Sequence, residues 1–194
     1  ELQALMDQIG KTTEPSDVVN LHLPAVTYEG DLTIGKRPIN LLGSTEGEGR
    51  TVFTSALRIT TGAQGWINEI QEIDFVGSGR EAIGVTAAAR VHLTGCTFTG
   101  WKTAVLVHGY SWVNLRYCEF TDNEVGFHFN ASESSVSHSI FDGNRFAGNG
   151  TALLWEGIPV DMSISFPESV FERNGTDVDN RSGQGLDLSE ATFR

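Results

Sequence analysis

Hydrophobic and polar positions along this chain recur with a period near 23 residues. Phe75, Phe98, Phe120, Phe146, Phe171 and Phe193 are spaced 23, 22, 26, 25 and 22 residues apart. The segment VNLRYCEFTDN at 113–123 slides onto VHLTGCTFTGW at 91–101 with Val, Leu, Cys and Phe coinciding. Two residues before each Phe sit Ile73, Cys96, Cys118, Asn144, Ser169 and Ala191. Three residues after come Ser78, Trp101, Asn123, Asn149 and Asn174. Six or seven after, the residue is usually small: Ala82, Ala104, Gly126, Ala152, and then Asp177. Such a period predicts stacked copies of one unit, each burying its apolar side on the next.

Within each copy the alternation has period two, which is the signature of strands. Val91 and Leu93 alternate, Thr94-Gly95 makes a corner, and Cys96 and Phe98 face inward. After a turn at 99–102, Val105 and Val107 face inward. The matching inward pairs are Ile83 with Val85, Phe127 with Phe129, Leu153 with Trp155, and a degraded pair of Val178 with Asn180. Before the regular coils, which begin at about Trp66, the pattern is less strict. Leu2, Leu5, Met6 and Ile9 follow helical spacing, so residues 1–10 form a short helix ending at Gly10. A turn-rich link at 11–17 follows. Short strands then turn inward Val19, Leu21 and Leu23, Leu32 and Ile34, Ile39 and Leu41, Val52, and Leu57 and Ile59. The final strand, LDLSEATF, stops in mid-repeat at Arg194, and the chain starts at Glu1 without Met. The start predicts a mature or excised form, and the end predicts a fragment of a longer protein or an open strand edge covered by another chain, suited to self-association.

Two repeat folds compete for this pattern. LxxCxFxxN at 115–123 fits a leucine-rich skeleton. That fold needs an arc or helix after the Asn, whereas GFHF and AVLV alternate with period two and leucine is sparse. The better match is all-β. The chain resembles the right-handed parallel β-helix of the pectate lyase-like superfamily, with about 22–26 residues per coil and an N-terminal α-helical cap. The resemblance rests on the corner pattern at Cys96, Cys118 and Asn144 and on the opening SDVVNLHLPAVTYEGDLTI followed by KRPINLLGSTEGEGRTVFT. It covers nearly all of residues 1–194 and implies one domain. It specifies fold rather than activity, because that superfamily holds lyases, hydrolases, epimerases, tailspikes, adhesins and inert modules.

Composition narrows the function. The net charge of −12 gives no Lys/Arg surplus to neutralise nucleic-acid phosphates or an anionic membrane surface. There are 22 glycines and 5 prolines, which suits many tight turns. The two cysteines share one register in adjacent coils and are expected as buried free thiols. No CxxC or HxxxH spacing supports a zinc site, and no metal or other cofactor is expected.

By the resemblance, a glycan would lie along the outer face of the sheet that follows the Asn turn. Two outward columns are expected there. One is Gly84, Leu106, His128, Leu154 and Asp179, and the other is Thr86, His108, Asn130, Glu156 and Arg181. His108, His128, Asn130, Glu156, Asp179 and Arg181 form the expected ligand-binding face. Tyr110, Trp112, Trp101 and Lys102 flank it as stacking or charged groups, and 131–139 is the longest flank. A uronate lyase would use Glu156 and Asp179 to hold Ca²⁺, with Arg181 or Lys102 as base. A glycosidase would use Glu156 and Asp179 as its carboxylate pair. The polygalacturonase-type motifs NTD, DD, GHG and RIK are absent, and the pectate lyase Asp cluster has no clear counterpart. Asn123, Asn149 and Asn174 are expected to shape turns by adopting αL backbone and bonding their own main chain. Asn130, Asn149 and Asn174 also head N-glycosylation sequons, two of which arise from the repeat.

The sequence therefore predicts a non-catalytic β-helix module of a secreted or cell-surface bacterial protein, presenting a face to polysaccharide or to another protein. The alternative is a polysaccharide lyase or glycoside hydrolase acting along that face.

Overall fold

A computed structural model of the chain describes residues 1–45, 49–62, 67–78, 82–134 and 136–194. Trp66, where the regular coils are expected to start, and Ser135, inside the 131–139 flank, lie outside the described residues. The expected architecture is present: a parallel β-solenoid of about 7 turns with one helix at its N-terminal end. Three ladders run along it. Each strand pairs in parallel with the strand one coil away, so alternate side chains point into one continuous core.

The aromatic ladder carries the periodic phenylalanines. Its eight strands are Thr27–Tyr28, Thr51–Phe53, Ile73–Val76, Thr97–Thr99, Glu119–Thr121, Arg145–Ala147, Val170–Glu172 and Thr192–Phe193. Each Phe pairs in register with the next. From Phe75 to Phe146 the rings stack 4.8 Å apart and within 10° of parallel, which is the strand spacing itself. The ladder starts two coils earlier than the sequence pattern suggests. Tyr28 and Phe53 occupy the first rungs, with edge contacts at 5.3 and 5.4 Å. In the second strand Thr51 and Phe53 are therefore inward, and Val52 is only half-buried.

A lateral ladder precedes the aromatic one in every coil but the last, where a single bridge between Ser165 and Asp187 takes its place. It runs through Asn20–His22, Asn40–Leu42, Asn68–Gln71, the second half of Ile83–Thr94, Trp112–Arg116, His138–Asp142 and Ser163–Ser165. At the corner between these two ladders the preceding residue takes left-handed backbone in Glu72, Gly95, Tyr117, Gly143 and Glu168. The next side chain then points inward: after Glu72 it is the apolar Ile73, and at the other four corners it donates to a carbonyl one coil back. Cys96 Sγ donates to Ile70 O (3.5 Å), Cys118 Sγ to Leu93 O (3.4 Å), Asn144 Nδ2 to Leu115 O (3.2 Å) and Ser169 Oγ to Phe141 O (2.6 Å). Thiol, amide and hydroxyl thus fill one donor slot. Both cysteines are free and buried, and burial pushes the Cys118 thiol well above its ordinary value. Cys118 is therefore not placed for thiolate chemistry.

The corner after the aromatic ladder works differently from expectation. The left-handed residues are Gly100, Asp122, Gly148 and Arg173, each just before the Asn-type position. The asparagines bond neighbouring coils rather than their own main chain. Asn123 Oδ1 accepts the Trp101 N–H (3.0 Å), Asn149 Oδ1 the Asn123 N–H (3.2 Å), and Asn174 Oδ1 the Asn149 N–H (2.9 Å). Their amides donate to Phe98 O, Phe120 O and Phe146 O at 2.9–3.1 Å. One coil earlier, Trp101 takes the role of the amide, and its Nε1–H donates to Phe75 O at 3.0 Å.

The helix runs Leu2–Thr12, past Gly10, and ends where Thr13 turns extended and both its N–H and hydroxyl return to Ile9 O. Met6 is buried, Leu2 and Ile9 pack on the core, and Leu5 stays exposed. Gln3 closes the first strand edge: its Oε1 accepts the Thr33 N–H at 2.7 Å and its Nε2 donates to Thr33 O at 3.1 Å. That protects main-chain groups otherwise open to pairing. The 11–17 link is held by Arg37, which is only 3% exposed. Its guanidinium donates to Thr13 Oγ1 and to the carbonyls of Glu14, Asp17 and Pro38. Replacing Arg37 by Ala orphans these acceptors and is expected to cost about 2–3 kcal/mol. Hydrogen exchange should then accelerate first in the 2–17 segment.

On the lateral face, Glu69 Oε1 meets His92 Nδ1 at 2.9 Å. Burial raises the Glu69 carboxyl, but hydrogen bonding and charge from His92, with help from Gln71 and Arg116, outweigh it and hold the group below its ordinary value of 4.5. A depressed carboxylate adds stability above the unfolded-state value and loses it as pH falls through the folded one. Acid titration of Glu69→Gln should therefore show a smaller loss of stability below about pH 4.5 than the unchanged protein. Equal losses would mean the pair is not coupled to folding.

Candidate functional site

The expected face is the third ladder. It comprises Leu32–Ile34, Leu57–Gly62, the first half of Ile83–Thr94, Thr103–Tyr110, Val125–Glu133, Thr151–Gly157 and Thr176–Asn180. Its inward residues include Leu57, Val85, Val105, Phe127 and Leu153, followed by Val178. The outward column that pairs rung by rung is Arg58, Thr86, Leu106, His128, Leu154 and Asp179.

Expected positions change at both ends of the face. Val85, not Ile83, aligns with Val105, and its partner on the inward side is Ala87. Thr86 therefore belongs to the first column, beside Leu106, and Gly84 leaves it. Val85 follows Phe75 by ten residues, whereas Val105 follows Phe98 by seven, so the longer turn shifts the register. Gly84 is buried at the corner, where a Cβ would stand 2.7 Å from the Ala104 carbonyl oxygen. At the far end, Asn180 is exposed rather than inward and donates to Gln184 O at 2.7 Å.

The second column is interrupted by two bulges. His108 pairs with Asn130, but Tyr110 pairs with Glu133, which leaves Ser132 as the extra residue. One coil on, Asn130 pairs with Gly157, which leaves Glu156 as the extra residue. A bulge re-aims the side chain it carries. A Cβ at Gly157 would stand 2.8 Å from Asn130 Oδ1 and 3.0 Å from Ala131 O, so a larger residue there would press on both.

Re-aimed, Glu156 reaches across the face. Its Oε2 lies 2.9 Å from His128 Nε2 and its Oε1 lies 3.6 Å from Arg181. Arg181 also holds Asp179 through two of its nitrogens, the closer at 2.6 Å. The structure thus joins His128, Glu156, Asp179 and Arg181 into one network. His108 and Asn130 are neighbouring rungs beside it. The network is solvated: the side chains of Glu156 and Arg181 are 37% and 60% exposed.

This arrangement constrains chemistry. Asp179, and then Glu156, hold the Arg181 guanidinium above its ordinary value, which keeps it charged and unsuited to abstract a proton. Calcium between Glu156 and Asp179 would meet the guanidinium that already bridges them, so these residues do not fit the ion. Among the described residues no group of three or more His, Cys, Asp and Glu side chains is gathered for a metal.

The flanking aromatics divide. Trp101 is 2% exposed and Trp112 6%, so neither is a stacking platform. Trp112 Nε1–H donates to His138 O, and Arg90 lies over its ring at 5.5 Å. Lys102 is exposed and Tyr110 half-buried. Tyr110 borders a cleft of about 470 Å³ between the turns that follow the bulged strands. A second cleft of about 390 Å³ holds Asp31 and Arg58, ion-paired at 2.9 Å, at the other end of the face.

A family model described as a right handed beta helix region matches residues 53–192. No curated protein matches. The solved structure of Geobacillus virus E2 ORF18 is similar in part, with 14% identity and a TM-score of 0.42. The match covers 80% of this chain and 43% of that one, so the chain spans less than half of that protein's length.

Proposed function

The chain belongs to the right-handed β-helix family, and from that premise we propose that it is a non-catalytic module presenting the third-ladder face to a glycan. One observation carries this reading: Arg181 bridges Glu156 and Asp179, the carboxylate pair that a lyase or glycosidase is expected to use on this face. A general acid needs a carboxyl free to hold a proton, and a lyase base needs a group free to accept one. Here the charges satisfy one another on an open sheet. Such a network can instead offer donors and acceptors to sugar hydroxyls while Leu106 and Leu154 supply apolar contact between polar rungs.

The enzyme alternative is favoured by one contact. His128 Nε2 against Glu156 Oε2 is the geometry of an oriented base. Incubation with polysaccharides, followed for binding and for new reducing ends or unsaturated uronates, separates the two. The module reading expects binding that weakens in His128→Ala and Arg181→Ala, with no product. Product formation that disappears in Glu156→Gln would establish the enzyme.

A further inference from the structure

The two bulges are adjacent in space and lie on the same margin of the face. Ser132 and Glu156, the residues they extrude, flank the strand ends that lead into the 470 Å³ cleft. The cleft is lined by Tyr110, Ser132, Glu133, Ser137, Val160 and Asp161, among others. Ser132, Glu133, Ser137, Val160 and Asp161 are exposed. Val160, at 87%, is the most exposed large apolar residue described. The lining contains two carboxylates and no Lys, Arg or His among the described residues.

Resting on the reading of this face as a glycan surface, we infer that the cleft is a subsite for uncharged pyranose units, and that it turns uronate chains away. Tyr110 offers a flat, amphipathic ring to the apolar face of a sugar. Ser132, Glu133 and Asp161 supply hydroxyl and carboxylate oxygens, which accept from sugar hydroxyls and form strong charge-assisted bonds. A uronate carboxylate would find two like charges and no cation to pair with. The cleft volume lies within the 300–1,000 Å³ common for small-ligand sites. The continuity of the strands fixes the path. Val125–Glu133 carries His128 and Asn130 on the face and Ser132 and Glu133 at the cleft, and Thr103–Tyr110 carries His108 on the face and Tyr110 at the cleft. A bound chain would therefore cross the second column and end at Tyr110.

The test uses the full chain with hexasaccharides of cellulose, mannan, galactan and starch, and with oligogalacturonate of the same length. Titration calorimetry gives affinity, and amide chemical-shift mapping gives the place. The inference expects a neutral hexasaccharide to shift the amides of residues 110 and 132–133. It expects Tyr110→Ala to weaken that binding at least ten-fold with the thermal midpoint unchanged. Oligogalacturonate should bind at least ten-fold more weakly, and Glu133→Gln with Asp161→Asn should narrow that gap. Neutral binding mapped only to His128, Glu156 and Arg181, and indifferent to Tyr110→Ala, overturns the cleft and leaves the face reading intact. Oligogalacturonate binding as tightly as the neutral chains does the same. Binding of none of these sugars overturns both.

Discussion

Replacing Asn149 by Ala is expected to destabilise the protein by about 3–5 kcal/mol. Asn149 is 1% exposed and sits between two other asparagines in the corner stack. Its Oδ1 accepts both the Asn123 N–H (3.2 Å) and Asn123 Nδ2 (3.0 Å). Its Nδ2 donates to Phe120 O (2.9 Å) and Asn174 Oδ1 (3.0 Å). Alanine leaves the buried Asn123 N–H and the Phe120 carbonyl without this partner, and removes one of the two bonds of the Asn123 amide, which keeps Phe98 O. Each such group carries a desolvation penalty of about 1–3 kcal/mol. Asn130, exposed on the face, provides the contrast: Asn130→Ala should move stability by less than about 0.5 kcal/mol. Urea denaturation of the two variants measures the difference. Equal effects would show that the corner stack is ornamental to folding.

Phe120→Ala is expected to cost a similar amount, about 3–5 kcal/mol. Phe120 is fully buried, stacks on Phe98 and Phe146 at 4.8 Å on either side, and meets Phe127 edge-on at 6.3 Å. Truncation removes contacts to both neighbouring coils, and a β-ladder with fixed rungs cannot close over the gap. Phe193→Ala at the end of the same ladder should cost far less, because that ring is 47% exposed and stacks on one side only, against Phe171. The stability of a solenoid depends on nearest-neighbour interfaces. A gradient from Phe120 to Phe193 in chemical denaturation is therefore the expected result. A flat profile would contradict it.

The ladder of phenylalanines was legible in the sequence because one apolar residue per coil kept its place while the turns varied. The inward pairs were legible where the offset from that Phe stayed at seven, as at Val105, Phe127 and Leu153, and at Val178 only the first member of the pair is inward. They failed at Val85, where a longer turn breaks the offset. Phe53 was hidden by the opposite change, since Leu57 follows it by only four residues. Trp101 reads as an exposed turn residue by type. Its position in the Asn column was the available signal, because an indole N–H can fill an amide's donor slot. Arg37 left no such signal: an Arg beside Pro in a turn is ordinarily solvated, and only the fold of the link over it makes it a buried anchor.

The candidate site was legible as a set of residues but not as a network. Period-two alternation placed His128, Glu156, Asp179 and Arg181 on one face. It could not foresee the bulges, which depend on how two neighbouring coils fit and not on either strand alone. Those bulges are what aim Glu156 at His128 and Arg181. They also make the margin next to Tyr110 irregular enough to form a cleft.

The most direct measurement is binding and turnover followed together, with the unchanged protein and Arg181→Ala, on neutral and acidic polysaccharides. The account predicts saturable binding that Arg181→Ala weakens, with no new reducing ends and no unsaturated uronate from either protein. Product that accumulates with the unchanged protein and vanishes in Glu156→Gln would contradict it.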